Sequence, residues 1–338
     1  VFNVKLPPYN AVGNGVTDDT AAIQAAIDAA LVAGGIVWLP AGNYKITSAL
    51  AFKSSSTSNA IQFRGAGKRH TKITQATAGA DILVTGETDA EKAYHFYFSD
   101  LWLSGGRYGL RLNASVGGFF ERIDISNTTV GLYMEGQNES HVFRDLSIDG
   151  SSQNGILVGQ LNGGAAGPPL NYPVLQKSLF EKIRVAGTVG GTAIKITAGN
   201  LGGQQSSGAN TFRRILLESN KKDGFELSAS FNTILEGVTN EEALDAANTY
   251  SGIRIGAGAL GGGVVTIRDC HLQGIDGGST SFKYGIEVAS GVALVENCFT
   301  GVGGAAGTAD IYVADSAPIL NSFVTASANL SIASGARP

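Results

Sequence analysis

Cysteine appears only twice in 338 residues, histidine four times, and charged side chains make up just 15% of the chain. Two cysteines cannot frame a disulfide-stapled fold. Cys270 and Cys298 read better as small apolar residues stacked at one inward position than as a bridge. None of His70, His95, His141 and His271 stands in a His-x-x-x-His spacing, which speaks against a transition-metal site. The formal net charge is −4 and no basic run occurs, so nucleic acid is not an expected partner. No apolar stretch approaches the roughly 18 residues of a membrane-spanning helix. A Gly-x-Ser-x-Gly elbow and a phosphate-binding loop are both missing, and Gly65-Ala66-Gly67 reads as a turn. The chain opens on Val1 with no charged and apolar leader ahead of it, which suggests a removed leader or a piece of a longer protein.

What the sequence does contain is glycine, 47 residues of it, and a repeat. Phe98, Phe120, Phe143, Phe180, Phe212, Leu235, Ile267, Val295 and Ile319 each open the phrase apolar-x-x-apolar-x-apolar, at intervals of 22 to 37 residues. A second short alternating phrase follows each, as in Gly109-Leu110-Arg111-Leu112 and Gly224-Phe225-Glu226-Leu227. Two strands per unit, repeated with loops of variable length, predict a stacked parallel β-solenoid: an all-β parallel β-helix forming one domain over 1–338. Residues 1–50 would hold the cap and first coils, and 51–338 the remaining stack. Strands are expected at Ile36–Leu39, Tyr44–Thr47 and Ile61–Arg64.

Equal offsets in successive units should lie above one another. One residue past each opening position stand Ser99, Glu121, Arg144, Glu181, Arg213, Glu236, Arg268 and Glu296. Signs alternate from Glu121 onward, as a stacked ladder of attracting neighbours requires. Those charges are therefore set aside as structural. Over residues 12–35 the pattern predicts a helix, capped by Thr17 or Asp18 with acidic residues in its first turn and ended by Gly34-Gly35. Its apolar stripe is Ile23, Ala26, Ile27, Ala30 and Leu31, suited to covering the open end of the stack.

The opening segment also resembles a family. Asn3-Val4-Lys5, then Gly13-Asn14-Gly15-Val16-Thr17-Asp18-Asp19-Thr20-Ala21-Ala22-Ile23-Gln24, then Gly34-Gly35-Ile36-Val37-Trp38-Leu39-Pro40-Ala41-Gly42 resemble the N-terminal signature of the pectate-lyase-like superfamily of right-handed parallel β-helices. The match covers about the first 50 residues and specifies fold, not reaction. Leu6-Pro7-Pro8-Tyr9-Asn10 replaces the acidic-aromatic-Gly turn usual in that signature. The Asp-Pro-His-Glu of the epimerases and the Gly-His-Gly and Arg-Ile-Lys of polygalacturonases are absent. The resemblance implies a carbohydrate substrate and an extracellular or virion-associated setting. A phage-spike relationship would add a homotrimer.

Six residues past the opening positions, Asp149, Ala186, Glu218 and Glu241 occupy four consecutive units. Glycoside hydrolysis needs a carboxylic acid and a second carboxylate, so Glu218 and Glu241, with Asp149, are the expected catalytic residues. Glu242, Asp245 and Asp223 lie close to the same strand ends, and Lys221 and Lys222 are candidate counterions. Arg184 falls between Asp149 and Glu218 in height and either grips a sugar carboxylate or pairs with a neighbouring acid. Along the second strand, Tyr133, Lys195, Glu226 and Arg254 share one outward column and are candidate sugar contacts. Four long connections, 159–178, 197–211, 239–251 and 272–284, are expected to wall a groove. The expected function is polysaccharide cleavage by hydrolysis, without a cofactor. A lyase acting on a uronate polymer, with Arg184 and Lys195 to serve as base and uronate-neutralising cation and Ca²⁺ as a cofactor compatible with that reading, is one alternative; a non-catalytic glycan-binding module of a phage tail is another.

Overall fold

A computed structural model describes residues 1–53, 60–86, 93–159, 174–197, 207–228, 230–242, 249–256, 264–274, 282–289, 291–301, 309–314, 319–323 and 330–332. Every strand pairing among them is parallel, in sheets of 17, 11 and 6 strands. The largest contains the first phrase of each unit, for instance Phe119–Ser126, Val142–Asp149, Leu179–Ala186 and Thr211–Glu218. The second phrase forms the 11-stranded sheet, which includes Ile194–Thr197, Phe225–Ser228 and Ser251–Gly256. The third sheet, of two- and three-residue strands such as Gln137–Glu139, closes the coil between them.

The first phrase owes its spacing to a corner. Asp100, Arg122, Asp145, Lys182, Arg214, Gly237, Asp269 and Asn297 all sit two residues past the opening position, and all have φ between 48° and 63°. A left-handed residue there turns the strand through the corner, so residues three apart both face inward. Asp, Asn and Gly suit that conformation, and Arg122 is anchored in it by its bonds to Asp100 in the neighbouring coil.

Inside, Phe98, Phe120, Phe143, Phe180 and Phe212 form a ladder with successive ring centroids 5.3, 4.9, 4.5 and 4.4 Å apart. Each ring is at least 99% buried, and the edge-to-face contact of Phe98 with Phe120 and the stacking of the other three pairs add about 0.5–1.5 kcal/mol per pair to that burial. Cys270 and Cys298 occupy one inward position, both as free thiols. At another corner His141 is fully buried. Its Nδ1 accepts the Gly118 N–H at 3.0 Å, so Nε2 carries the proton towards Ser115 Oγ, which in turn donates to Asn138 Oδ1. Burial pushes the imidazole pKa down to about 4, because the charged ring would lose its hydration there.

The charge ladder has the expected register from Ser99 to Glu296. Arg144 and Arg213 both bond Glu181, at 3.0 and 2.6 Å, and Arg268 reaches Glu236 at 3.3 Å. The helix differs from expectation at its start. It runs over Thr20–Ala33, whereas Asn14–Asp18 is a strand. Asp19 occupies the N-cap without bonding the first turn; its carboxylate turns back to the Val12 and Gly13 N–H groups at 2.6 and 2.9 Å. Asp18 instead accepts from the Thr20 amide and the Thr47 hydroxyl. Tertiary bonding to the first coils displaces local capping here. Ile23, Ala26, Ile27 and Ala30 are buried as the stripe requires, with Leu31 packed beside them.

Candidate functional site

Two outward surfaces carry the candidate residues. The first is the part of the long-strand sheet beyond the left-handed corner. Asp149, Ala186, Glu218 and Glu241 are paired in that order, so Glu218 and Glu241 are direct neighbours and Asp149 lies two coils from Glu218. Between the two acids sits Arg184. Its Nη1 donates to Asp149 Oδ1 and its Nε to Glu218 Oε2, both at 2.5 Å, and Nη1 also lies 3.3 Å from Ser147 Oγ. Burial opposes the Arg184 charge, but the two carboxylates outweigh it and raise its pKa. The guanidinium is thus engaged with two acids rather than open to a sugar carboxylate. Glu241 remains exposed at the rim. Only the backbone of Glu242 is described, at the end of strand Thr233–Glu242, and Asp245 lies outside the described residues.

The second surface is the outer face of the 11-stranded sheet. Its register runs Arg111, Tyr133, Leu157, Lys195, Glu226, Arg254, Glu287, Tyr312. Tyr133 departs from the expected exposed contact: it is 5% exposed, packed with Tyr108, Val130 and Leu157, its ring 4.5 Å from Tyr108. Aromatic stacking within the column has taken the ring out of solvent. Beside it opens a cleft of about 630 Å³ lined by Lys195, Lys222, Asp223, Glu226 and Arg254, with polar residues from 152–154 and 190–192. Long connections join both ends of this sheet's strands, after Val158, Thr197 and Gly256 and before Ser251 and Tyr284. Most of their residues lie outside those described.

Within the cleft, Lys195 Nζ is 3.0 Å from Glu226 Oε2, and Ser228 Oγ donates to Glu226 Oε1 at 3.2 Å. Arg254 Nε stands 3.5 Å from Glu287 Oε2, too far for a hydrogen bond, and is shielded from solvent without one. Asp223, which the sequence sets with Glu242 and Asp245 near the strand ends of Glu218 and Glu241, lines this cleft instead. Its Oδ1 accepts the Ser251 N–H at 2.6 Å. Burial raises its pKa from the ordinary aspartate value against that bond, with Glu226 and Glu287 adding to the rise and Arg254 opposing it. A carboxyl inclined to hold its proton, three residues before a second carboxylate and inside the larger cleft, has the make-up of a general acid with a partner. Its place immediately before Gly224 was the available sequence signal. Lys222, expected as a counterion to Glu218, lines this cleft instead. Among the described residues, no group of three or more His, Cys, Asp or Glu could hold a metal ion.

The family described as "Rhamnogalacturonase A/epimerase, pectate lyase-like" matches residues 1–90. Mannuronan C5-epimerase AlgE3 of Azotobacter vinelandii is 42% identical over 130 residues, 35% of this chain and 6% of that protein. Alginate lyase 7 of the same organism is 40% identical over 115 residues, 31% of this chain and 12% of that protein. The chain therefore matches a small part of each relative's length. Across nearly the whole chain, the A-module of A. vinelandii mannuronan C-5 epimerase AlgE6 superposes with a TM-score of 0.67 at 19% identity, covering 98% of this chain and 89% of that one. The repeat, the parallel sheets and this superposition agree: in fold, the chain is a right-handed parallel β-helix of the pectate-lyase-like kind.

Proposed function

We propose that this chain acts on a polysaccharide held across the 11-stranded sheet, and that the reaction is glycosidic-bond hydrolysis in the cleft at Asp223. The observation that supports it is the pairing of a burial-shifted carboxyl, Asp223, with the Lys195-bound carboxylate of Glu226 in a cleft of about 630 Å³. Asp223 would give its proton to the glycosidic oxygen as the bond to the anomeric carbon breaks. Glu226, positioned by Lys195 and Ser228, would stabilise the oxocarbenium-like centre and deliver water, or attack it directly. The chemistry is assigned here rather than to Asp149 and Glu218 because Arg184 binds both of those carboxylates.

A second reading, β-elimination or C5-epimerisation of a uronate polymer, is favoured by the relatives' names and by the three cations Lys195, Lys222 and Arg254 around the cleft. The products decide between them. Incubation with a panel of neutral and uronate polysaccharides should release new reducing ends without the ultraviolet absorbance of an unsaturated uronide. Appearance of that absorbance, or a change of sugar configuration with chain length preserved, would replace hydrolysis by the second reading. Retained binding with no chemical change would reduce the protein to a glycan-binding module.

A further inference from the structure

The surface beyond the corner of the long-strand sheet is left without a role once catalysis is placed in the cleft. It carries two adjoining depressions of about 450 and 400 Å³ that share Asp149 and Gly150. We infer that together they form a second, non-catalytic binding track for an uncharged glycan. This rests on the polysaccharide reading above but not on the choice of reaction.

Form is the first argument. From Trp102 to Glu241 the track crosses six successive coils, each about 4.8 Å above the last, presenting side chains at a regular interval to a ligand that itself repeats. Charge is the second. Four carboxylates (Asp124, Asp149, Glu218, Glu241) and the cations Arg69 and Arg184 line the two depressions, with Lys68 3.3 Å from Asp124 and Lys72 over the Trp102 ring. That balance leaves no positive excess to hold a polyanion: Lys68 is paired with Asp124, and Arg184 has no free fork for a carboxylate because Asp149 and Glu218 fill it. A divalent cation would have to displace the same guanidinium. Sugar hydroxyls, by contrast, donate well to carboxylate oxygens.

Rigidity is the third. The Trp102 indole N–H donates to Ser126 Oγ at 2.9 Å, and Lys72 Nζ lies 4.1 Å from the ring centroid. The ring is fixed while remaining partly exposed in the first depression. An ordered aromatic beside ordered acceptors takes up a pyranose with little loss of side-chain entropy.

Trp38 and Trp102 are the two tryptophans of the chain, which gives a direct readout. In a Trp38→Phe, Asp223→Asn protein, Trp102 emission should shift saturably with at least one of a set of uncharged glucan hexasaccharides and not with hexamannuronate. Arg69→Gln and Glu241→Gln should each weaken that binding about 10-fold, the scale of one lost hydrogen bond to a charged group. If Trp38→Phe does not fold, the same signal is taken as the difference between the Asp223→Asn protein and its Trp102→Phe variant. An equal response to hexamannuronate, no response to any uncharged hexasaccharide, or affinity unchanged in both rim variants overturns the track. Should a polysaccharide still retard the protein in an affinity gel while Trp102 stays silent, the track fails and the polysaccharide reading survives. Should no polysaccharide retard it, both fail.

Discussion

The cleft on the 11-stranded sheet and the track on the long-strand sheet are built from the same coils, yet they solve opposite electrostatic problems. In the track, the acids are paired in place: Lys68 meets Asp124, and Arg184 bridges Asp149 and Glu218 in a partly exposed setting. In the cleft, cations outnumber acids three to two; burial raises the pKa of Asp223 there, as it raises that of Asp124 in the track, where Lys68 opposes the rise. Crowding carboxylates along a coil edge does not by itself make a proton donor. Burial does, and burial depends on which residues the neighbouring coils bring over the group.

The largest expected effect tests that contrast directly. Asp223→Asn should lower turnover by at least ~10²-fold, the scale of lost general acid catalysis, while Glu241→Gln leaves the catalytic step nearly intact. The opposite ranking, measured on a polymer the parent cleaves, would return catalysis to the Glu218–Glu241 edge.

Acid profiles of activity need a stability baseline, and His141 sets it. Below pH 6.5 the unfolded chain takes up a proton that the folded ring refuses until about pH 4. Stability is therefore full above 6.5 and falls as pH drops through that window, by at most about 3 kcal/mol. Thermal melts from pH 7 to 4 should record the decline, and His141→Gln should flatten it. Asp223 works in the reverse direction: with its folded pKa raised, its contribution is present at low pH and lost as pH rises through the folded value.

Smaller still is the effect expected at Arg184. Its partners are half-exposed, so Arg184→Met should destabilise by no more than ~1 kcal/mol, and a double-mutant cycle with Glu218→Gln should recover part of it. Additivity within error would mean that the bridge is not energetically coupled. Smallest is Glu181→Gln in the ladder, at most ~1 kcal/mol, with no change in turnover. The hydrogen bond from Arg213, with that from Arg144, holds the Glu181 pKa below its usual value, so its contribution is lost only as pH falls below about 4.5, beneath most of the His141 window. A melt that loses nothing in Glu181→Gln at neutral pH would make the ladder a register device without net energy.

Most of the architecture was legible because it is periodic. The spacing of Phe98, Phe120 and Phe143 fixed the coil, and the sign alternation from Glu121 to Glu296 fixed the register. The start of the helix was not legible. Thr17 and Asp18 look like caps locally, but the first coils recruit them into a strand and into bonds with Thr20 and Thr47. Tyr133 was placed in the right column with the wrong exposure, since only the packed structure sets Tyr108 against it. Asp223 shows the same limit for function. Its residue type was visible, but its burial is a product of the packed coils, and the charges of Arg254 and Glu287 that act on it come from far along the chain.

The alternating ladder also works as a parity check on the length of the stack. Removing the single coil from Arg213 to Leu235 would set Glu181 beneath Glu236, like on like, and discard both Arg213 contacts. Removing two coils would set Glu181 beneath Arg268 and restore attraction. A chain that gains or loses coils by duplication or deletion is thereby biased towards changing by even numbers, and a misthreaded stack slipped by one coil carries an error signal at every step of the column.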